Sequence, residues 1–189
     1  MQGLLGVFTA FGLASSAGLN AYIPLLVVAL LGRFTDLITL KAPWDALESW
    51  WVIGILAVLL IVEIVADKIP AVDTVNDTVQ SFVRPAAGAI LFASSGGSIS
   101  NVHPVLAIIC GILAAGGVHA VKATARPVIT ATTGGMLNPV VSTAEDVTSL
   151  VISLLAIVLP ILGVLLLALV ILWFVRRITR RRSGRPTYR

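Results

Sequence analysis

Residues 147–175 decide the class of this protein, because they read VTSLVISLLAIVLPILGVLLLALVILWFV without one charged side chain. A helix needs about 20 apolar residues to cross a hydrocarbon layer of about 30 Å, so this run is long enough to span a bilayer. Residues 1–32 and 85–118 are equally free of Asp, Glu, Lys and Arg. Three such runs in one chain predict an integral membrane protein rather than a soluble domain.

The overall composition agrees with this class. The chain has 189 residues, of which 58% are hydrophobic and 12% charged, whereas soluble domains carry about 25% charged residues. The length suits one compact bundle, and we expect residues 1–175 to form a single transmembrane domain. The one cysteine, Cys110, lies in an apolar run and has no partner for an intrachain disulfide.

Residues 176–189 form a basic tail that contains seven of the 13 basic residues of the chain. A basic segment beside a span marks the cytoplasmic side of a membrane. It also attracts anionic lipid headgroups. We therefore predict a cytoplasmic C-terminus, and we interpret the tail as a lipid contact rather than a nucleic-acid contact.

Hydropathy predicts about five transmembrane helices in an all-α fold. The first run contains small residues at 14–20 and then Pro24, so we expect its helix to tilt or break there. The polar connection 33–48 is followed by Trp50 and Trp51, which suit a membrane interface. Whether the third helix crosses fully or dips in and returns is left open. The predicted spans are Leu4–Gly32, Ser49–Ala66, Val72–Ala93, Val105–Val121 and Val147–Val175.

Residues 127–144 are uncharged but contain Pro127, Gly134, Gly135 and Pro139. Proline in a helix removes a backbone hydrogen bond and favours a kink. Irregular backbone at membrane depth is tolerated only where protein or a wet cavity surrounds it. We therefore predict that residues 122–146 form a re-entrant or broken helical hairpin buried against other helices.

An internal repeat is suggested at a constant offset of 99 residues. Gly12, Gly18 and Ala21 match Gly111, Gly117 and Ala120 at this offset. If residues 1–99 and 100–175 begin in opposite orientations, they form an inverted repeat, as in many transporters. This arrangement would place the N-terminus outside and the connection 33–48 inside.

The polar residues suggest one ionic site. His119, Lys122 and Arg126 are spaced three and four residues apart, which puts them on one face of a helix. An ionised group at mid-bilayer costs about 2.5–3.5 kcal/mol on insertion scales, so these groups need partners or water. We expect acidic partners from Asp73 or Asp77 and from Glu145 or Asp146.

A small transporter or permeation protein for an anionic solute or anionic lipid headgroup is the function we predict, with proton coupling as an option through groups such as His119. The residues predicted to bind substrate are Lys122, Arg126, Arg84, His119, Asn20 and Asn138. The residues predicted to balance charge or carry protons are Glu145, Asp146, Asp73, Asp77, Glu63 and Asp67.

Two other functions stay open. One is a cation channel or carrier that uses Glu63, Asp67, Asp73 and Asp77 as oxygen ligands. The other is a membrane scaffold or accessory subunit that transports nothing. Cys and His pairs at metal-ligand spacing, hydrolase motifs and phosphate loops do not occur in the sequence, so we expect no resident metal, no cofactor and no enzymatic activity. Partners beyond the bilayer are not defined, and self-association into a homo-oligomer is left open.

Several motifs resemble a bacterial membrane family known as the domain of unknown function 4126. The resemblance covers most of the chain except the tail, and it implies a helical protein of the bacterial cytoplasmic (inner) membrane without implying an activity. Asn20 departs from the pattern, which favours a basic residue there. The matching motifs are GLNAYIP (18–24), EIVADKIP (63–70), Asp73, Asp77, RP (84–85), HAVKATARP (119–127), TTGG (132–135), Asn138-Pro139 and STAED (142–146).

Overall fold

The computed structural model describes residues 2–95 and 102–182, with the side chains of 2–4, 70, 71, 73–75 and 161–182 left out. Within these residues the chain is entirely helical and contains no strand. A short 3-10 helix, Trp44–Glu48, precedes the third α-helix. The six α-helices are α1 (Gln2–Ala17), α2 (Tyr22–Phe34), α3 (Trp50–Ala66), α4 (Pro70–Ser94), α5 (Pro104–Thr133) and α6 (Asn138–Arg182).

The first apolar run is broken between α1 and α2, as the small residues predicted. The side-chain oxygen of Asn20 accepts hydrogen bonds from the backbone N–H groups of Tyr22 (3.0 Å) and Ile23 (3.1 Å). These bonds satisfy donors that the start of a helix leaves unpaired. Gly18 lies so close to α5 that a Cβ there would be 2.4 Å from the carbonyl oxygen of Ala115. The break is therefore a packed turn and not a loose connection.

Helices α1 and α2 form a hairpin whose tip lies inside the bundle. We call the end where α5 begins the upper end, and the end that holds the turn 134–137 the lower end. Helix α1 runs downward beside α5, because Ala10 packs with Ala107 while Gly18 packs with Ala115. Helix α2 returns upward, since Phe34 meets Trp50 at the start of α3, with ring centroids 5.8 Å apart.

The remaining helices continue this alternation. Helix α3 descends, α4 ascends against α5, and α6 ascends against α1, where the hydroxyl of Thr9 donates to the carbonyl of Ala156 at 2.8 Å. The start of α1 and the connection 33–48 consequently lie at the same, upper end. The expectation that they lie on opposite sides is wrong, because the first apolar run folds back on itself instead of crossing once.

The interruption predicted within residues 122–146 is confirmed as a turn between α5 and α6, but the segments on either side are the ends of two long helices and not a short re-entrant hairpin. Helix α5 continues through Pro127 to Thr133. The chain then turns at Gly134 and Gly135, whose φ angles are +60° and +81°. A proline removes only one backbone hydrogen bond, whereas a left-handed backbone favours glycine and ends a helix. The glycines therefore stop the helix, and Pro127 does not.

The 99-residue offset has no support in the fold. Helices α1 and α5, which carry one set of matches, run parallel to each other. A second set of matches at the same offset, in which Val52 and Leu56 correspond to Val151 and Leu155, lies on α3 and α6, which run in opposite directions. One rotation cannot relate both pairs, so the matches reflect similar apolar composition.

Two helical segments, Pro104–Thr133 and Asn138–Pro160, are long and apolar enough to cross a membrane. Three shorter apolar helices cover Leu5–Ala17, Tyr22–Phe34 and Trp50–Ala66. Helix α4 carries too many polar residues to pass the same test.

Apolar and polar side chains are distributed in an unusual way. Many large apolar residues point outward; Trp51 is 85% exposed and Phe82 is 78% exposed. Part of the interior is packed with Leu13, Leu56 and Leu91. Another part is polar, and buried Asp, Glu, Lys, Arg and His side chains gather in the lower half of the bundle.

Candidate functional site

Charged side chains from the ends of α3 and α6, from α4 and α5, and from the α1–α2 tip meet in this lower half. We call them the polar cluster. Each is held by a helix or a capped turn, so the cluster is built on rigid elements. Its members are Asn20, Glu63, Asp67, Asp77, Arg84, His119, Lys122, Arg126, Glu145 and Asp146.

The lower part of the polar cluster is a charge quartet of Asp67, Lys122, Arg126 and Glu145. The Lys122 ammonium lies 3.0 Å from Glu145 Oε2 and 3.5 Å from Asp67 Oδ2. The Arg126 guanidinium contacts the same two oxygens, at 3.5 Å from Asp67 and closer still to Glu145. Two carboxylates therefore bridge the same two cations, and the quartet is electrically balanced.

The two carboxylates of the quartet differ in how firmly they are held. The Asp67 side chain is 2% exposed, and its Oδ1 accepts a hydrogen bond from the Asn76 amide at 2.8 Å. The Glu145 side chain is 15% exposed. Because Glu145 has more solvent beside it and can rotate on a longer side chain, it is the easier of the two to displace.

Lys122 also connects the quartet to the α1–α2 tip. Its ammonium donates to the backbone carbonyl of Leu19 at 3.1 Å. That carbonyl is available because α1 has ended at Ala17 and the chain is turning. Next to it, the Asn20 amide donates to the Asp146 carboxylate at 2.9 Å.

The upper part of the polar cluster is centred on Arg84, and we call it the arginine group. Arg84 donates from Nη2 to Glu63 Oε1 at 3.0 Å, and its Nη1 lies 3.8 Å from Asp77. The same Nη1 lies 2.9 Å from Nδ1 of His119. The Arg84 side chain is completely buried, so its charge depends on these neighbours.

The contacts of His119 determine its charge. Arginine nitrogens only donate hydrogen bonds, so the His119 Nδ1 that faces Arg84 must accept and cannot carry a proton. The other nitrogen, Nε2, lies 3.0 Å from the Ser81 hydroxyl and carries the proton of the neutral ring. Adding a second proton would place an N–H against a guanidinium. The contact with Arg84 therefore favours the neutral ring in this conformation.

A match to a family model covers residues 7–180, and the family is described as a domain of unknown function (DUF4126). The chain belongs to the DUF4126 family. No curated protein matches the chain, and no solved structure matches it. Three of the DUF4126 motifs, at 63–70, 119–127 and 142–146, supply Asp67, Lys122, Arg126 and Glu145 and thus meet in the quartet.

Most of the residues predicted to act together do meet, although with different partners. Glu145 is confirmed as a partner of Lys122 and Arg126. Asp67 stands where Asp73 or Asp77 was expected, and Asp77 faces Arg84 instead. The predicted role of Asp73 cannot be followed, because its side chain is among those outside the described set.

Among the predicted site residues whose side chains the structure describes, Asn138 lies apart from the others. Its side chain exchanges hydrogen bonds with the Thr130 hydroxyl, at 3.0 and 3.1 Å, just above the turn between α5 and α6. This pair joins the two helices where they diverge from the turn. Asn138 therefore has a structural partner of its own and does not contact the quartet through any described bond.

Two side chains of the site, Asn76 and Ser81, were not predicted. Asn76 positions Asp67, and Ser81 contacts the proton-bearing nitrogen of His119. Ser81 lies four residues after Asp77 and three before Arg84, so a stripe of polar residues on α4 was the available signal. Asn76 lies on the same stripe, four residues before Gln80, so the same signal could have found it.

Described residues line surface hollows on two outward apolar faces. One, of about 620 Å³, lies along α3 beside Trp50, Trp51 and Val58. The other, of about 670 Å³, lies along α6 beside Val140 and Val147. Neither touches the polar cluster, whose side chains are in direct contact with one another.

Proposed function

We propose that this DUF4126 protein is a proton-linked membrane transporter for a small anionic solute, with Glu145 occupying the anion position. One observation carries the proposal. A single carboxylate oxygen of Glu145, whose side chain is 15% exposed, contacts both Lys122 and Arg126. In this conformation the Glu145 carboxylate would occupy the position that a carboxylate or phosphate group of the solute binds during transport.

The outward apolar surface supports a membrane location. Exposing side chains such as Trp51 and Phe82 to water is unfavourable, while a lipid environment accommodates them. The start of α1 and the end of α6, together with the connection 33–48, lie at the upper end. The arginine tail therefore suggests that this end faces the cytoplasm of a bacterial inner membrane, where the tail can contact anionic lipid headgroups.

Proton linkage follows from the charges of the quartet. While Glu145 is ionised, two carboxylates balance two cations. A proton on Glu145 removes one negative charge and frees Lys122 and Arg126 to bind an anion, with Asp67 held in place by Asn76. Since each event favours the other, proton binding and anion binding are coupled by the same free energy.

The chemistry of the two cations defines the solute class. Arginine offers a planar pair of donors that matches carboxylate or phosphate, and lysine adds a compact charge. The solute is therefore a small carboxylate or phosphate, either free or as the headgroup of a lipid.

The experiment that tests this function compares two probes in proteoliposomes. Purified protein would be reconstituted with phosphatidylethanolamine and phosphatidylglycerol, and uptake of labelled gluconate and inorganic phosphate would be measured. Movement of fluorescent phosphatidylglycerol between leaflets would be followed in parallel. Uptake without lipid movement identifies a free solute, and lipid movement without uptake identifies a headgroup.

Two variants and one control make this test specific. Lys122→Ala and Arg126→Ala should each lower transport about tenfold or more, because a hydrogen bond to a charged group is worth about 1.5–3 kcal/mol and 1.4 kcal/mol is a factor of ten. Lys41→Ala removes an exposed cation of the connection 33–48, at the opposite end of the bundle from the polar cluster, and it should transport normally. Equal transport by all three variants would refute the proposal.

The other two candidate functions receive less support. The cation carrier needs Glu63, Asp67 and Asp77 around one position, but Glu63 and Asp77 face Arg84 while Asp67 faces Lys122 and Arg126. No group of three or more acidic, His or Cys side chains in the described part of the chain is arranged to hold a metal ion. The scaffold is favoured by the direct contacts that fill the cluster, and it predicts no transport of either probe.

A further inference from the structure

Four buried polar atoms around Arg84 have no hydrogen-bond partner among the described residues. They are Nε of Arg84, Oε2 of Glu63, Oδ1 of Asp77 and Oε1 of Gln80. Gln80 precedes Arg84 by one helical turn on α4, so it shares the same face. Buried polar atoms are almost always paired, and four unpaired atoms in one place indicate that the hydrogen-bond network is incomplete.

The charge of the arginine group identifies what is missing. Glu63 and Asp77 are two carboxylates, Arg84 is one cation, and His119 is neutral because its Nδ1 accepts from Arg84. The group thus carries one excess negative charge. Asp77 Oδ1 is buried, but the side chain as a whole is 17% exposed, whereas the Glu63 side chain is completely buried. A buried charge without a full complement of partners is strongly unfavourable.

We infer that Glu63 holds a proton on Oε2 and forms a second proton-binding site, separate from Glu145. The bound proton turns an unpaired acceptor into a donor, which can reach the Gln80 oxygen directly or through a water molecule. Oε1 of Glu63 remains free to accept from Arg84, as observed. The group is then electrically neutral.

This site has a regulatory consequence that rests on the proposed transport of an anion. Arg84 on α4 contacts Glu63 directly, and Asp77 on α4 and His119 on α5 contact the same guanidinium. The other titratable groups around Glu63 are Lys122 on α5, Tyr22 on α2 and Asp67 at the end of α3. Lys122 lies near Glu63 and also belongs to the quartet, where it contacts the Glu145 oxygen that occupies the proposed anion position. Loss of the Glu63 proton at alkaline pH would add a negative charge beside Lys122 and weaken the attraction for an anion. Anion binding at the quartet should therefore weaken at alkaline pH.

The direct test is infrared spectroscopy of the full chain in phosphatidylethanolamine and phosphatidylglycerol vesicles, without any solute. At neutral pH the wild type should show a C=O band of a protonated carboxylic acid that shifts in D2O. Glu63→Gln should remove the band. Asp77→Asn, the matched change of the other carboxylate in the group, should keep it. Gln80→Leu should shift the band, because the proton loses its acceptor.

Several results would overturn the inference. They are a wild type without the band, a band that survives in Glu63→Gln, and a band that only Asp77→Asn removes. Failure of Glu63→Gln to fold would also overturn it, since glutamine is the neutral substitute for a protonated glutamate. If Glu63 is instead ionised and a buried water molecule bonds its Oε2, the wild type shows no band, and the inference is overturned.

The regulatory part is tested by the pH profile of uptake. In a Glu145→Gln background, where the Glu145 proton no longer contributes to the pH dependence, uptake should still be lost at alkaline pH. Adding Glu63→Gln to that background should retain uptake at alkaline pH. An unchanged alkaline loss in the double variant would refute the regulatory role. The infrared band is measured without solute, so the two tests are independent. A protein that transports neither probe refutes the proposed function, and the band alone then decides whether Glu63 holds a proton.

Discussion

At the scale of single residues, Asn20 joins two parts of the molecule through one side chain. Its oxygen caps α2 by accepting from Tyr22 and Ile23, and its amide nitrogen donates to Asp146 on α6. The side chain is fully buried. Asn20 therefore fixes the α1–α2 tip relative to α6, and with it the Leu19 carbonyl that Lys122 contacts.

Replacing Asn20 with alanine should destabilise the protein by about 2–4 kcal/mol. The loss of a helix cap costs about 1 kcal/mol, and the loss of a hydrogen bond to a charged group costs about 1.5–3 kcal/mol. Equilibrium unfolding in detergent would measure the change.

Asn20→Asp is the matched variant, because it keeps the capping oxygen but places a second carboxylate beside Asp146. It should become more stable as pH falls, since protonation relieves the repulsion. Stability equal to that of the wild type in both variants at neutral pH would show that the observed bonds do not hold the tip.

At the scale of helices, close contact between α4 and α5 positions Arg84 against His119. The two backbones meet at Gly88 and Gly111, and a Cβ on Gly111 would lie 2.3 Å from the Gly88 carbonyl oxygen. That oxygen belongs to backbone and cannot move aside without moving the helix. The contact lies only about two turns from His119, so it also sets the 2.9 Å separation of Arg84 and His119.

Gly111→Ala should therefore push α4 away from α5 and destabilise the protein by about 1–3 kcal/mol, the usual cost of overpacking. Gly117→Ala on the same helix is the control. No atom lies within 4 Å of its added Cβ, and alanine favours a helix over glycine by about 1 kcal/mol. In detergent, the melting temperature should fall in Gly111→Ala and rise in Gly117→Ala relative to the wild type. Equal melting temperatures of the two variants would contradict the close packing of α4 and α5.

The sequence predicted elements better than contacts. Ser49 caps α3 with its hydroxyl, and α3 runs from Trp50 to Ala66, close to the predicted Ser49–Ala66. The end of α5 was missed because Pro127 reads as a helix breaker, although the positive φ of Gly134 is what stops the helix. Spacing alone could place His119, Lys122 and Arg126 on one face. It could not show that Asp67, rather than Asp73 or Asp77, lies across from them, because that depends on the hairpin of α1 and α2 and the descent of α3.

At the scale of the whole molecule, the polar cluster lies deep below the upper end. His119 is 15 residues after the start of α5, which corresponds to about 23 Å of helix. The space between is packed with apolar residues such as Leu25, Leu56 and Leu91. The partly exposed Asp77 and Glu145 belong to the cluster itself. This conformation therefore presents the cluster to the lower end and seals it from the upper end.

This arrangement predicts a definite topology. In a Cys110→Ser background, cysteines at Asp36 and Thr187 should resist an impermeant thiol reagent in intact cells, because both should face the cytoplasm. A cysteine at Met136, on the exposed turn between α5 and α6, should react. Labelling at position 36 but not at position 136 would show that the orientation is the reverse of the one predicted. Labelling at only one of positions 36 and 187 would contradict the alternation of helices.

The measurement that tests the central claim most directly is proton movement driven by an anion gradient. Vesicles with and without Glu145→Gln would be exposed to a gradient of gluconate or inorganic phosphate, while a trapped dye reports the internal pH. The wild type should move protons together with the anion. Glu145→Gln, which mimics a permanently protonated carboxylate, should take up the anion without moving protons. A wild type that takes up neither anion, or a Glu145→Gln variant that still couples the two fluxes like the wild type, would contradict the account.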